Sequence, residues 1–274
     1  MKFKEIVPAI PCVNVLDLGV RHSEGEQSGY ELLDQFEMVG IDFGESESTS
    51  GHLHIKEAIG DGNNKTLYEC QLKTCSSLYK PNIDLLQHYN QLAEWLQVTH
   101  TEEIQTKKLN DIELPFLPDY IKSDLQGSDL WAFQHGTRYT KEAIVIEVEV
   151  EFIEQYEDQP LFSDIHNTLR KQGFFFHTFT GYGSRLLKPM YNDFDPFCAS
   201  NQWMWSHAVF VKNIFSDHST LSIPPEQWLK LATIMHDIYQ SYDLVAFCLK
   251  RFDALAGCSY ADKYIKVTQS CIEN

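Results

Sequence analysis

The sequence predicts an α/β protein with a doubly wound, Rossmann-like sheet and further helices towards its carboxyl end. Short apolar runs alternate with segments of helical periodicity along most of the chain, and parallel strands need such crossover helices. Several apolar runs end in turns that contain Gly or Asp, as strands of such sheets commonly do. Two strand-like runs lie close together late in the chain, at residues 174–179 and 203–213.

The size and composition of the chain suit one large domain or one domain with an appended piece. The chain has 274 residues, of which 43% are hydrophobic and 13% aromatic, enough for a sizeable core and unlike a disordered protein. We expect a main domain over residues 1–215 and a helical extension over residues 216–274 that packs on the same domain.

The charge and the cysteines restrict the partners and the compartment. A net charge of −17 repels phosphate backbones, so nucleic acid is not expected as a partner, and solubility is the simplest reading of this charge. Seven cysteines without a C-x-x-C pair predict a reduced, cytoplasmic chain without disulfides or a zinc site. The first 13 residues lack an apolar run of signal-peptide length, and no window predicts a membrane span.

In the first half of the chain, three apolar runs predict strands that end near Gly or Asp. They cover residues 13–19, 37–44 and 52–62. Residues 29–36 suit a short helix, and residues 82–96 carry apolar side chains at helical spacing. Residues 66–72 are expected to pair with the third run as an antiparallel strand, and 101–109 to form an edge strand or a loop.

In the second half, strand and helix patterns continue to alternate. Strands are predicted at residues 117–125, 142–152, 174–179 and 203–213. Helices are predicted at residues 128–135, from Phe162 to a stop at Gly173, at 225–239, and onwards to about residue 255.

The ends of the early strands define the predicted site. Asp17, Gly19, Asp42, Asp61 and Asp124 follow or end these runs, and doubly wound sheets bind ligands outside the carboxyl ends of their strands. Asp42 lies 23 residues after Gly19, near the offset of about 20 residues at which an acid binds ribose hydroxyls; an ordinary solvated turn acid is the alternative.

The glycine pattern argues against two kinds of nucleotide site. The run "GVRHSEG" places Gly25 six residues after Gly19, and no G-x-G-x-x-G is present. A dinucleotide pyrophosphate needs closely spaced glycines at a helix start. The pattern therefore disfavours NAD or FAD binding and a P-loop.

Longer motifs resemble a known family. "VLDLG", "VGIDFG", "EAIGD", "SSLY", "IKSDLQGSDL" and "VEVEFIEQYEDQPLFSDIHNTLRKQGF" occur in the order and spacing of FkbM family methyltransferases, over roughly residues 12–250. The resemblance implies a class I, seven-stranded sheet that binds S-adenosylmethionine across strands 1, 2 and 4. The most specific segments are "KSDLQGSDL" and the run from "EVEF" to "FSDI".

The resemblance also implies roles for individual residues. Asp17 and Gly19 match the first loop, which contacts the methyl donor, and Asp42 matches the ribose acid, where Glu is more usual. The other matches are Ala58, Ile59 and Asp61 beside the adenine, and Asp124, Gln126 and Gly127 near the reacting methyl group.

The chain departs from the family pattern in two motifs. In the first loop, Val20 replaces Ala and Gly25 is displaced. After strand 4, Ser123 replaces an aliphatic residue and Asp129 replaces Glu. The changed first loop bears on donor affinity more than on the fold.

The expected reaction is O-methylation of a hydroxyl on a sugar, glycan or natural product, so the partner is a small-molecule or glycan acceptor. Asp124, Glu149 and Glu151 are candidate bases. Glu147, Glu149 and Glu151 alternate along a strand and share one face, although an exposed glutamate row would look the same.

Other polar and aromatic residues are weaker candidates. Tyr156 and His207 are further possible bases, and Trp203, Trp205 and Phe210 either line the acceptor pocket or pack in the core. His52 and His54 have no third ligand nearby in sequence, so no metal site is predicted. Two other functions fit less well: a binding protein that kept the fold and lost catalysis, and an unrelated Rossmann oxidoreductase.

Overall fold

The computed structural model describes residues 3–20, 28–44, 52–192, 194–195, 197–198, 200–215 and 223–272. The strands are β1 (Val13–Leu18), β2 (Phe36–Asp42), β3 (Leu53–Lys56), β4 (Asn64–Cys70), β5 (Val98–Gln105), β6 (Tyr120–Ser123), β7 (Val145–Glu151), β8 (Phe174–Gly183) and β9 (Trp205–Lys212). The helices are α1 (Ile83–Leu86), α2 (Leu92–Trp95), α3 (Asp129–His135), α4 (Thr137–Thr140), α5 (Phe162–Lys171), α6 (Pro225–Asp237), α7 (Tyr242–Ala256) and α8 (Tyr260–Ile272).

Seven strands form one sheet in the order β3-β2-β1-β6-β7-β9-β8. All neighbouring pairs are parallel except those made by β9, which is antiparallel to both β7 and β8. The strand order reverses between β1 and β6, and this switch point opens a crevice at the carboxyl edge of the sheet. The predicted seven-stranded, doubly wound sheet is confirmed.

Both faces of the sheet are covered, which explains the near-continuous apolar runs of its strands. On β1, Val15 packs in one core with helices α6 to α8, and the adjacent Leu16 packs in the opposite core with α3 and α5. The carboxyl-terminal helices therefore pack directly on the sheet. A domain boundary at residue 215 stays a prediction.

The segment between β3 and β6 differs most from the prediction. β4 pairs antiparallel with β5 and forms a separate two-stranded sheet, so its predicted pairing with β3 is wrong. Residues 101–109 begin within β5, and β5 is mostly exposed. The edge-strand alternative is thus correct for residues 101–105, whereas residues 106–109 lie outside the strand.

The helix predicted at residues 82–96 is interrupted. It forms the short helices α1 and α2, with Gln91 at φ 66° between them. The break is held by Asn90, whose backbone N–H donates to Leu186 and whose side chain donates to the Met190 carbonyl. The apolar face is still buried, because both short helices pack in the same small core.

Two further differences are local. Residues 29–32 form a single 3-10 turn, and the predicted helix over 29–36 ends early because β2 begins at Phe36. Helix α8 lies within the predicted helical extension of residues 216–274, although no separate helix was predicted beyond about residue 255. Among the described residues, no helix combines the length and the apolar character needed to cross a membrane.

Candidate functional site

The ends of β1, β2 and β6 are joined by backbone hydrogen bonds. The Gly19 N–H donates to the Ile41 carbonyl at 2.8 Å, and the Asp124 N–H donates to the Leu18 carbonyl at 2.9 Å. Gly19 has φ +85°, and a Cβ atom there would lie 2.0 Å from the Asp124 carbonyl oxygen. Glycine is thus required by the backbone of Asp124.

A cavity of about 780 Å³ lies at this edge of the sheet, and a smaller cleft adjoins it. Gly19 and Asp124 line both. The cavity is also lined by Asp17, Tyr30, Lys122, Gln126, Glu147, Glu149, Glu151, Tyr156, Arg185, Trp205 and His207. The cleft is also lined by Asp42, Ala58, Ile59, Ser77 and Leu125. Most predicted site residues therefore meet around one pair of openings.

Asp17 is almost fully buried at the cavity wall, with 1% of its surface exposed. The Tyr30 hydroxyl donates to its Oδ2 atom at 2.8 Å, while its Oδ1 atom has no hydrogen-bond partner. Lys122 Nζ is 3.9 Å from Oδ1, too far for a hydrogen bond. Burial raises the pKa of Asp17, and Lys122 opposes this. Oδ1 is therefore a buried acceptor that makes no hydrogen bond in the described part of the chain. Gly25 of the predicted first loop lies outside the described residues.

The residues predicted to hold ribose and adenine do not all lie together. Asp42, Ala58 and Ile59 line the cleft, and the Gly44 N–H donates to Asp42 Oδ1 at 2.8 Å. Asp61 lines neither opening and forms a 2.9 Å ion pair with Lys65. Desolvation raises the pKa of Asp61, but hydrogen bonds from Lys65 and Asn63 outweigh this effect and lower the pKa to about 2.

The loop between β6 and α3 is closed by a buried hydrogen bond. The Ser123 hydroxyl donates to Asp129 Oδ1 at 2.5 Å, and both residues are buried. Burial raises the pKa of Asp129 to about 6. Ser123 and Asp129 are two of the departures from the family pattern, and the structure pairs them with each other. In the loop, Gln126 and Gly127 both have positive φ.

Gln126 connects two carboxyl groups. Its Nε2 atom donates to Asp124 Oδ1 at 2.7 Å and to Glu149 Oε2 at 2.8 Å. The Tyr156 hydroxyl lies 3.0 Å from Gln126 Oε1, which orients the amide. Gly127 packs near Gln159 and Tyr79 and lines neither opening.

The pKa values of the two carboxyl groups are shifted in opposite directions. Burial and the neighbouring Asp124 raise the pKa of Glu149 well above its ordinary value. Burial also raises the pKa of Asp124, but Lys122 and a hydrogen bond from Glu149 outweigh it, so the pKa of Asp124 is lowered. The pair therefore holds one proton on Glu149 and one charge on Asp124.

The glutamate row of β7 faces the cavity, as the alternation predicted. The exposed-row alternative is wrong, because only 4% of Glu151 is exposed. Burial, with Asp129 and Asp124 nearby, raises the pKa of Glu151 to about 8. Glu147 accepts hydrogen bonds from the Tyr120 and Tyr239 hydroxyls at 3.0 and 2.5 Å.

Some of the weaker candidates line the cavity and others do not. His207 lines the cavity opposite Glu149 on β9. Trp205 lines the cavity, whereas Trp203 stacks on Tyr182 and Phe210 is buried in the core. His52 stacks on Phe36. In the part of the chain that the structure describes, no three His, Cys, Asp or Glu residues are arranged to hold a metal ion.

Sequence reasoning missed several residues of the cavity. Tyr30, Lys122 and Arg185 were not predicted as site residues. Lys122 could have been found, because it precedes Asp124 by two residues and an extended backbone directs such side chains to the same side. Tyr30 and Arg185 come from segments outside regular strands, and their sequence neighbourhood carries no signal for the site.

A model of the methyltransferase FkbM domain matches residues 14–176, more than half of the chain. The chain belongs to the FkbM methyltransferase family. The methyl donor of these enzymes is S-adenosylmethionine. The matched residues contain β1 to β7 and all of the Asp124–Gln126–Glu149 group. The seven-stranded sheet is that of class I methyltransferases, as the resemblance implied.

Solved structures of other methyltransferases are similar at a low level. A protein of Thermoplasma acidophilum assigned to the methyltransferases has 9% identity and a TM-score of 0.38, covering 74% of this chain and 69% of its own. Magnesium protoporphyrin IX methyltransferase of Synechocystis, with bound S-adenosylmethionine, has 15% identity and a TM-score of 0.35, covering 76% and 74%.

A TehB-like methyltransferase of Corynebacterium glutamicum has 12% identity and a TM-score of 0.33, covering 76% of this chain and 85% of its own. No curated protein matches the FkbM-family chain. These similarities are too low to assign it an acceptor.

Proposed function

We propose that this FkbM-family protein is an S-adenosylmethionine-dependent O-methyltransferase that acts on a hydroxyl of a sugar, glycan or natural product. The observation that carries the proposal is the carboxyl pair of Asp124 and Glu149, held by Gln126 where the cavity and the cleft meet. A hydroxyl acceptor loses a proton when it is methylated, and the ionised carboxylate of Asp124 in this pair can accept that proton.

The residues around the openings fit the donor. Asp42 can accept hydrogen bonds from two ribose hydroxyls, and Ala58 and Ile59 give the cleft an apolar wall for the adenine. The Asp17 Oδ1 atom, which makes no hydrogen bond, can accept from the ammonium group of the methionine part. S-adenosylmethionine, when bound, supplies an electrophilic methyl group carried on a sulfonium.

The roles of the chain's own residues follow from their charges. Asp124 accepts the proton from the acceptor oxygen. Glu149, protonated, keeps a single negative charge on the pair, and Gln126 fixes the positions of both carboxyl groups. Such positioned proton transfer contributes about 10²–10⁴-fold to rate.

The cavity is large enough for a substrate beside the donor. Its volume of about 780 Å³ lies within the range of roughly 300–1,000 Å³ that is typical of ligand pockets. A small-molecule acceptor or the terminal sugar of a glycan fits this space.

Donor binding is the first test. S-adenosylhomocysteine should raise the melting temperature, and at about 100 times its Kd it should stabilise the fold by about 2.7 kcal/mol. NAD⁺ serves as the control ligand and should give no shift. A folded sample that ignores millimolar S-adenosylhomocysteine would contradict the proposal.

Turnover is the second test. Incubation with isotope-labelled S-adenosylmethionine and a panel of hydroxylated sugars and natural products should give a product heavier by one methyl group, detected by mass spectrometry. Donor binding without methylation of any hydroxyl in the panel would favour the binding-protein alternative.

A further inference from the structure

A buried arginine lies at the wall of the same cavity, against the first residue of β9. Arg185 follows β8 and is only 9% exposed. Its Cζ atom lies 5.2 Å from the ring centroids of Trp95 and Phe197 and 5.1 Å from that of Trp205. The guanidinium is therefore enclosed by three aromatic rings at the cavity wall, and we call these four residues the arginine box.

The charge of Arg185 is incompletely satisfied. Its Nη1 atom donates to the Ser184 carbonyl at 2.7 Å, and its Nε atom is buried with no hydrogen-bond partner. Among the described residues, no carboxylate lies within 4 Å of the guanidinium. Because an unpaired buried charge costs free energy, the site favours an incoming anion.

The arginine box is separate from the proposed donor site. β9 lies three strand spacings from β1 in the sheet, or about 14 Å at roughly 4.8 Å per spacing. Since the Trp205 ring that contacts Arg185 belongs to β9, we assign Arg185 to the acceptor and not to the carboxylate of the donor's methionine part, which is placed near Asp17. Arg185 also lies outside residues 14–176, which match the family.

Two of the acids that line the cavity favour their neutral forms, which weakens their repulsion of an anion, whereas Asp124 in the same cavity carries a charge. Glu149 and Glu151 line the same cavity, and burial raises the pKa of both, that of Glu151 to about 8. A pKa of about 8 keeps Glu151 largely protonated near neutral pH, and the raised pKa of Glu149 favours its protonated form. Asp195 is a nearby carboxylate, but its effect on the pKa of Arg185 is smaller than that of burial, which lowers it.

We propose that Arg185 binds an anionic oxygen group of the methyl acceptor, a carboxylate or a phosphate, while Trp95 and Trp205 stack on the adjoining part of the molecule. The inference rests on the proposed function only in taking the bound molecule to be the methyl acceptor. It narrows the acceptor class to acidic sugars, sugar phosphates or other organic acids. Arginine suits this role because its planar fork matches both anions.

Three small probes test the proposal: benzoate, phenyl phosphate and benzyl alcohol. Binding is followed by tryptophan fluorescence, since Trp95 and Trp205 flank the guanidinium. We expect saturable binding of one or both anions and at least tenfold weaker binding of the neutral alcohol. The anion that binds more tightly indicates whether the site prefers a carboxylate or a phosphate. Arg185→Gln should weaken anion binding about tenfold to a hundredfold, and Arg185→Lys should weaken it less.

Arg138→Gln is the matched control, because Arg138 pairs with Glu113 on the surface and lines neither opening. It should bind the anions as the wild type does. If Arg185→Gln does not fold, the wild-type protein still decides the question, since anion binding at this site must weaken as sodium chloride is raised and benzyl alcohol binding must not.

Equal binding of all three probes, unchanged anion binding in folded Arg185→Gln, or no anion binding at tens of millimolar would overturn the proposal. S-adenosylhomocysteine binding is measured on the same samples. Its loss in the wild type would count against the proposed function, whereas its retention in Arg185→Gln with lost anion binding would support the arginine box alone.

Discussion

The carbonyl oxygen of Asp124 lies 2.0 Å from the position that a Cβ atom on Gly19 would occupy. The end of β1 and the end of β6 are therefore in backbone contact at the switch point of the sheet. This contact places the cleft of Asp42 and the carboxyl pair of Asp124 and Glu149 on either side of one residue. The geometry of the whole site thus depends on a glycine.

Gly19→Ala should destabilise the protein by at least about 2 kcal/mol, because the positive φ costs about 1 kcal/mol and the clash with Asp124 adds about 1–3 kcal/mol. Gly173→Ala is the control: its φ of +88° is nearly the same, but no atom lies within 4 Å of the added Cβ. Urea unfolding measures both. Equal losses in the two variants would show that the contact with Asp124 is unimportant.

Asp42→Ala should weaken S-adenosylhomocysteine binding about tenfold to a hundredfold, since charge-assisted hydrogen bonds contribute about 1.5–3 kcal/mol. Asp42→Glu should largely retain binding. Calorimetry gives the affinities, and Asp34→Ala, which removes a surface partner of Lys4, should change nothing. If Asp42→Ala binds as tightly as wild type, the ribose role is wrong.

Asp124→Asn should lower turnover by about 10²–10⁴-fold with donor affinity nearly unchanged, because Asn keeps the shape but cannot take the proton. Glu149→Gln mimics the protonated Glu149 and should lower turnover less. Single-turnover rates and donor affinities, measured on one preparation of each variant, separate the two effects. A larger loss in Glu149→Gln would assign the base to Glu149.

Glu151 should make stability depend on pH. Its pKa is raised from 4.5 in the unfolded chain to about 8 in the folded protein, so the folded state holds this proton more tightly. Relative to the unfolded chain, the resulting stabilisation is present below about pH 4.5 and is lost as the pH rises towards about 8, with a slope of up to about 1.4 kcal/mol per pH unit.

Glu151→Gln should remove that slope and raise the free energy of unfolding at pH 8 relative to wild type. Urea titrations between pH 5 and pH 8 measure the effect. Glu113→Gln, at an exposed carboxylate paired with Arg138, should leave the slope in place. A wild-type slope that persists in Glu151→Gln would assign it to another group, such as Asp129.

The sequence by itself determined the doubly wound sheet and most of the strands that carry the predicted site residues. Its buried strands are short apolar runs that end in Gly or Asp, and their period and order are local properties that predict a doubly wound sheet. The alternation of Glu147 and Glu149 with valines placed them on one face of β7 for the same reason. The family motifs then pointed to Asp42, Ala58 and Asp124.

Only the tertiary structure decided what each of these groups can do. The pairing of β4 with β5 joins strands separated by two short helices, and no local pattern encodes it. The proton on Glu149 depends on burial by the rest of the chain and on Asp124, which lies in the loop after β6. The proposed role of Arg185 depends on its contacts with Trp95 and Trp205, which lie far from each other in sequence. Proton affinity and the energy of a buried charge depend on surroundings in space, and a linear pattern does not specify them.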